Sequence, residues 1–423
     1  MDSSTSGALL EKKQKAGFRF VLAVVFLDML GIGLAVPVLP LLVGDFVSSK
    51  DLQAQWFGIL SAVFGLMQFI CMPLLGSISD KIGRRPVLIF SSAGMGLNFL
   101  VTAWAPTLGW LFLGRFIGGA CSASMSTASA YASDISNHEN RAKTFGMIGA
   151  AFGVGFICGP MIGGLLGGIN YHLPFYVGAA LCFSNAIFGY FFVPESLTVD
   201  KRGTFTLAKA NPFSSVSRLF SRRDIGGLIV VFGLSTFAQF LLQTTWVLYT
   251  HFKFGWGPQQ NGIALFCVGL TAAVVQAALL SRLMKRFGEV RLSLMGLASG
   301  SIAFLAYALA TDGWMFYAII IGNMLAFAAG PAMQGIVSKA TDPREQGALM
   351  GSLQSLSSLA IVLAPIVGTQ LLAEVSHYPQ GDWRVGAPFF LASALQLVAL
   401  YLAWRFFNRH GVPVHKASQP AAT

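Results

Sequence analysis

Polar and apolar residues fall in long blocks along this chain, without the two-residue alternation of a half-buried strand. Twelve mostly apolar runs can be drawn, at 18–44, 56–79, 86–105, 108–133, 144–169, 174–194, 225–251, 259–284, 290–311, 313–338, 347–372 and 386–407. Runs of about 18 or more apolar residues are long enough to cross a bilayer as helices. The pattern predicts an all-α membrane protein of twelve transmembrane helices.

Composition agrees. The 423 residues are 55% hydrophobic and 11% charged, where soluble domains carry about 25% charged residues. The polar N-terminus and the length of the first run argue against a cleaved signal peptide. Cys71, Cys121, Cys158, Cys182 and Cys267 all lie inside runs without metal-ligand spacing, so they read as small apolar residues.

The net charge of +11 raises the question of a nucleic-acid partner, and its distribution answers it. With the N-terminus placed in the cytoplasm, 24 of the 28 Lys and Arg residues fall in cytoplasmic connections or tails. That is the positive-inside bias. It predicts cytoplasmic termini at both ends, a multi-pass location in the cell (inner) membrane and no nucleic-acid partner.

The only long internal connection, 195–224, is polar and basic and contains Pro212. It divides the chain into an N-terminal six-helix bundle (1–194), a cytoplasmic linker (195–224) and a C-terminal six-helix bundle with a short tail (225–423). The halves repeat at an offset of 205: Gly83 and Gly288, Gly146 and Gly351, Pro160 and Pro365, Gly163 and Gly368. Parallel six-helix repeats are a known transporter plan, with the substrate site near the midplane.

Two charges are expected deep within the runs, Asp28 and Arg115. A charge at the bilayer centre costs at least about 2.5–3.5 kcal/mol, which makes each a functional-site candidate. Asp28 is expected to carry a proton and Arg115 to set its affinity. The uncharged polar residues Gln68, Asn98, Gln239, Gln243, Gln276, Asn323 and Gln334 should face protein rather than lipid, as interhelical hydrogen bonds or as substrate contacts. Trp246, on the same segment as Gln239 and Gln243, could form a flat wall for an aromatic substrate.

The connection Gly76-Ser-Ile-Ser-Asp80-Lys-Ile-Gly83-Arg84-Arg85-Pro86 reads as a tight turn. Gly83 suits a backbone conformation costly for other residues, and Asp80 could sit at a helix N-terminus. With Asp134 as partner for Arg84, this loop is expected to act as a conformational clasp between the halves. Gly155, Gly159 and Gly163 make a flat face for close helix contact, and Pro160 bends that helix.

These motifs resemble those of the major facilitator superfamily over essentially the whole chain. The Gly76–Arg85 loop looks like the family signature, and Arg115 in Leu113-Gly-Arg-Phe-Ile-Gly118-Gly119 looks like its helix-4 motif. Gly153-Val-Gly155-Phe-Ile-Cys-Gly159-Pro160-Met-Ile-Gly163 looks like the helix-5 motif of its drug/proton antiporters, to which the resemblance assigns a leak barrier. Leu27–Pro40, Leu66-Met67-Gln68, Phe254-Gly-Trp256 and Gly330–Gly335 resemble the tetracycline/proton antiporter branch. That branch carries charged or titratable residues at three positions that here read Asn98, Ala272 and Gly300.

No nucleophile elbow, metal cluster or phosphate-binding loop is visible, so an enzyme or an ATP-driven pump is not expected. The expected function is proton-coupled efflux of lipophilic small molecules by alternating access. The protein would be a monomer in the lipid bilayer, with protons as coupling ion and no cofactor. A proton symporter importing a metabolite and a non-transporting membrane receptor are the alternatives.

Overall fold

Apolar surroundings give backbone N–H and C=O groups no solvent partner, so spanning segments must satisfy them within helices. The computed structural model describes residues 3–136, 140–198, 200, 202–203, 226–339 and 346–410. Within them are fifteen α-helices: α1 Ser3–Ala35, α2 Leu39–Leu42, α3 Lys50–Ile82, α4 Arg84–Ala103, α5 Leu108–Ala120, α6 Ser124–Ile135, α7 Arg141–Ile169, α8 Leu173–Phe192, α9 Gly226–Phe254, α10 Pro258–Val274, α11 Leu280–Leu309, α12 Trp314–Gly322, α13 Ala326–Lys339, α14 Gln346–Val375 and α15 Ala387–His410. A π-helical turn, Val275–Leu279, joins α10 to α11. Most of the expected linker, 204–224, lies outside the described residues.

Ten stretches of the described residues are long and apolar enough to cross a membrane. Two local features account for the difference from twelve. The run 108–133 breaks at Cys121–Ala123 into helices of 13 and 12 residues. The runs 259–284 and 290–311 join in one stretch, Pro258–Leu309, of 52 residues, which turns at Gly288 with φ 73°. Counted as crossings, the twelve helices are those the pattern predicts.

The chain divides into two compact units. One comprises Met1–Asn211 with Trp256–Gly269, the other Pro212–Gly255 with Leu270–Thr423. In the first unit α1 packs along α7 and α8, and α4 along α8 and α6. In the second, α9 packs along α14 and α15, and α11 along α15 and α13. These pairings are the same ones shifted by the repeat. Large apolar side chains such as Phe191, Ile302 and Trp104 remain exposed, as expected of a surface whose solvent is lipid.

The α1–α7 seam follows from glycine. A Cβ at Gly155, Gly159 or Gly163 would run into the α1 backbone at Phe26, Leu30 or Leu34. On another side of α7, Gly164 meets Pro258 and Gly262 at the start of α10, a segment belonging to the same unit. Close backbone approach gives dispersion contact where lipid offers no hydrophobic driving force.

A side chain at Gly159 would place Cβ 2.7 Å from Gly33 Cα. Overpacking of this kind costs about 1–3 kcal/mol, so Gly159→Leu should lower the detergent melting temperature by several degrees. Gly153→Ala, with no heavy atom within 4 Å of its Cβ, should leave it unchanged.

Candidate functional site

Asp28 is 5% exposed, in the C-terminal third of α1. Ser124, the first residue of α6, acts on it electrostatically. The Asp28 Oδ1 has no partner among the described residues. Ser124 begins α6 because the run 108–133 breaks just before it. Around the break the backbone tightens, with the Ser122 amide donating to Gly119 O at 3.2 Å and Ala123 to Cys121 O at 2.9 Å. Gln68 Nε2 donates to Ser122 Oγ at 3.0 Å. A second break, Asn323–Leu325 between α12 and α13, lies 202 residues further on, close to the repeat offset; there Ser299 Oγ donates to Asn323 Oδ1 at 2.9 Å.

Arg115 does not pair with Asp28. Its Nη2 donates to Asn98 Oδ1 at 2.9 Å, its guanidinium lies 5.3 Å from the Phe64 ring centroid, and its Nε is buried without a partner. Both anchors are neutral, so the arginine is held without a counter-ion. An ion pair expected to form and break is thus not made here, where the two buried charges are held apart.

A third buried charge was not expected from the sequence. Helix α9 runs past the predicted end of its segment, and Lys253, near its C-terminus, is 3% exposed. Its Nζ donates to Ala308 O at 2.8 Å and Tyr249 Oη at 3.0 Å. Asp382 acts on it electrostatically; the neighbouring Arg384 holds that carboxyl below the usual carboxylate range.

The Gly76–Arg85 loop is organised by a residue outside the motif. Gly83 turns the chain with φ 113°, and the start of α4 is capped by Glu195, which follows α8. Glu195 Oε1 accepts from Arg84 N at 2.8 Å, and Oε2 accepts from Arg85 N at 3.2 Å. Asp80, expected at a helix N-terminus, pairs instead with Arg84 Nη1 at 2.5 Å. Arg84 Nε reaches Asp134 Oδ2 at 3.3 Å, and Ser196 Oγ donates to the same oxygen at 3.0 Å. Gly76 has open space around its Cβ position, so it makes no close helix contact. Every partner shown for this loop belongs to the first unit. The signal for Glu195 was its place beside Pro194 at the end of an apolar run.

The second unit carries the same bond with its charges exchanged. Adding 205 to Arg84 and Asp134 gives Glu289 and Lys339, and these pair at 2.7 Å.

The uncharged candidates separate by burial. Asn98, Asn323 and Trp246 lie within their own units. Trp246 packs edge-on against Tyr307 and Phe316, with centroids 5.2 and 5.0 Å away; it is core rather than an open wall. Gln239, Gln276 and Gln334 are exposed, and Gln68 and Gln243 half-buried. Gly300 faces Gln396.

Many apolar helices, two units built by one repeat and an acid buried within one of those helices define a multi-pass membrane protein. Residues 21–365 and 253–422 match the Major Facilitator Superfamily, and the chain belongs to that family. It is 37% identical over 372 residues to the class C tetracycline resistance protein of Escherichia coli, covering 88% of this chain and 93% of that protein. The Multidrug resistance protein 2 of Bacillus subtilis (strain 168) is 27% identical, with 87% and 91% covered. Among solved structures, the nucleoside transporter NupG superposes with a TM-score of 0.75 at 14% identity, covering 92% of this chain and 98% of that one. That likeness is one of fold. The chain is a transporter of this family and not an enzyme.

Glu195→Gln keeps the shape of the cap and removes its charge from a helix N-terminus. Hydrogen bonds to charged groups are worth about 1.5–3 kcal/mol, less where solvent reaches them, so the loop should loosen by about 1 kcal/mol. Transport should fall, with membrane expression retained. Wild-type transport by Glu195→Gln would remove Glu195 from the loop's mechanism.

Proposed function

We propose that this chain is a proton-coupled antiporter that exports lipophilic small molecules, antibiotics among them, across a bacterial inner membrane by alternating access. The observation that carries this reading is Asp28, an acid 5% exposed in a transmembrane helix without a cationic partner. A buried carboxyl that need not hold a structural ion pair is free to exchange a proton. The coupling ion is the proton, no cofactor takes part, and the working unit is a monomer with both termini cytoplasmic. The two six-helix bundles, 1–194 and 225–423, joined by 195–224, are the bodies that would rock.

Similarity to the tetracycline and multidrug resistance proteins supports export of drugs. Tetracycline itself is one candidate among several. Asn98, Ala272 and Gly300 lack charge, and two of them pack inside their units, which favours lipophilic over polar cargo. Gln68, Gln239, Gln243, Gln276 and Gln334, the candidates with exposed surface, are the contacts this reading retains.

Everted membrane vesicles test the proposal. Adding a transported compound to energised vesicles should release protons and dissipate the gradient. Asp28→Asn should express normally, bind neutral compounds and lose at least about tenfold of proton-driven export, the scale of one lost coupling step of 1.4 kcal/mol. A well-expressed Asp28→Asn protein that still exports against a gradient would eliminate the role of Asp28.

A further inference from the structure

Two neighbouring helices of the second unit carry arginine at the same height on their exposed faces. Helices α11 and α15 run antiparallel. Ser301 Oγ donates to Ser393 O at 3.2 Å, and a Cβ on Gly300 or Gly386 would meet Gln396 or Ala308 across the pair. Following both helices from Ser301 and Ser393 toward their other end brings Arg291 level with Ala403. Val290 and Leu294 pack there in one core cluster with Ala403, Phe406 and Phe407. Arg291 and Arg405 thus differ by about two residues of height, roughly 3 Å of helix rise.

Both side chains lie on stripes that face outward. Arg291 opens the exposed stripe of α11 that continues through Ile302 and Leu309. Leu397, Tyr401, Arg405 and Arg409 follow one another at four-residue spacing on α15, all exposed, so they share one face. Trp404 is exposed beside them, its ring 6.3 Å from that of Tyr401.

None of the three arginines has a hydrogen-bond or ion-pair partner among the described residues. Glu289, the acid nearest to Arg291 in sequence, is taken by Lys339. The first unit treats the matching corner differently, where α4 packs along α8. Arg84 pairs there with Asp80 and Asp134, and Arg85 donates to Gly189 O and Tyr190 O. The positive-inside bias asks for cations at this end of the bundle. It does not ask for three of them grouped at one corner and left without acceptors.

We propose that this corner of α11 and α15 binds the headgroup of an anionic phospholipid, with Arg291, Arg405 and Arg409 donating to its phosphodiester. Guanidinium forks match phosphate oxygens, and clustered cations at the cytoplasmic end of crossing helices attract anionic lipid. Tyr401 and Trp404 lie one turn deeper, at the depth where aromatic rings favour the membrane interface. The occupant is a lipid rather than a soluble anion because Ile302 and Leu397 extend both stripes as apolar tracks for acyl chains. The site does not depend on the proton-coupled reading.

The test is native mass spectrometry of the purified protein in detergent, titrated with dioleoylphosphatidylglycerol, dioleoylphosphatidylcholine or inorganic phosphate. Phosphatidylglycerol should bind about tenfold or more tighter than phosphatidylcholine, which has the same chains and no net charge. Arg291→Gln, Arg405→Gln and Arg409→Gln should each weaken it about fivefold, the scale of one surface cation. These positions are exposed, and an unchanged melting temperature without added lipid should show that each variant folds. Combined Arg282→Gln, Lys285→Gln and Arg286→Gln removes as much charge from exposed positions before Gly288, and should leave affinity within about twofold. Unchanged affinity in the three single variants overturns the proposal. A loss in the control triple as large as theirs does so too, since diffuse charge would then hold the lipid. Equal binding of phosphatidylcholine, or displacement of the lipid by millimolar phosphate, would also overturn it.

Discussion

The satisfaction of backbone hydrogen bonds in an apolar medium governs this molecule. A peptide group exposed to hydrocarbon costs several kcal/mol, so a crossing helix breaks only where protein or a water-filled cavity surrounds the break. This chain breaks two of its crossings inside, at Cys121–Ala123 and Asn323–Leu325. In both places amides turn to carbonyls three residues back, and side chains fill in: Gln68 on Ser122, Ser299 on Asn323. The remaining first-turn amides of α6 are a polar resource in the least polar part of the protein. Packing supports the same arrangement. The glycine face of α7 brings α1 close, which holds Asp28 within the first unit.

The internal repeat preserves roles more than residues. Gly83 and Gly288 both adopt positive φ, at 113° and 73°, and each ends one crossing and starts the next. The ion pair beside them survives as Arg84–Asp134 in one unit and Glu289–Lys339 in the other, with polarity reversed. A bond between two exposed or half-exposed groups depends on opposite signs and reach, and both are kept when the pair is exchanged. Glu195 has no such freedom. It lies on backbone amides at a helix N-terminus, where only an acceptor fits.

Local signals in the chain were legible. Run lengths, the positive-φ glycines and the four-residue glycine spacing of α7 follow from rules that act over a few residues, and the structure carries each of them. Twelve crossings and the acid at position 28 could be read the same way. What could not be read depends on which distant residue fills a space. Glu195 lies 111 residues from the backbone amide it caps. Lys253 appeared to belong to a connection because hydropathy ends its segment at 251, yet Ala308 O and Tyr249 draw it in. Trp246 looked like a binding wall because its segment also holds Gln239 and Gln243; Tyr307 and Phe316 enclose it instead. The Asp28–Arg115 pair was expected because opposite charges in a low dielectric attract strongly. It does not form here, where the amide oxygen of Asn98 holds Arg115 instead.

The three buried charges are therefore stabilised in three ways, and the differences bear on function. Lys253 spends donors on a fixed carbonyl and a phenol oxygen that is itself bonded to Tyr307 O. Arg115 is bound by the neutral oxygen of Asn98, and a guanidinium does not lose its proton in a protein. Arg115 therefore keeps its charge, whereas a neutral Lys253 amine would still have two N–H groups for its two acceptors. Asp28 keeps a spare acceptor, its Oδ1. A change of protonation there strands no cationic partner, and it alters a charge held inside the first unit. For scale, an electrostatic change at a helix end is worth up to about 2 kcal/mol when partly buried. That is enough to shift a balance between two conformations more than tenfold, and too little to threaten a fold held by the α1–α7 seam.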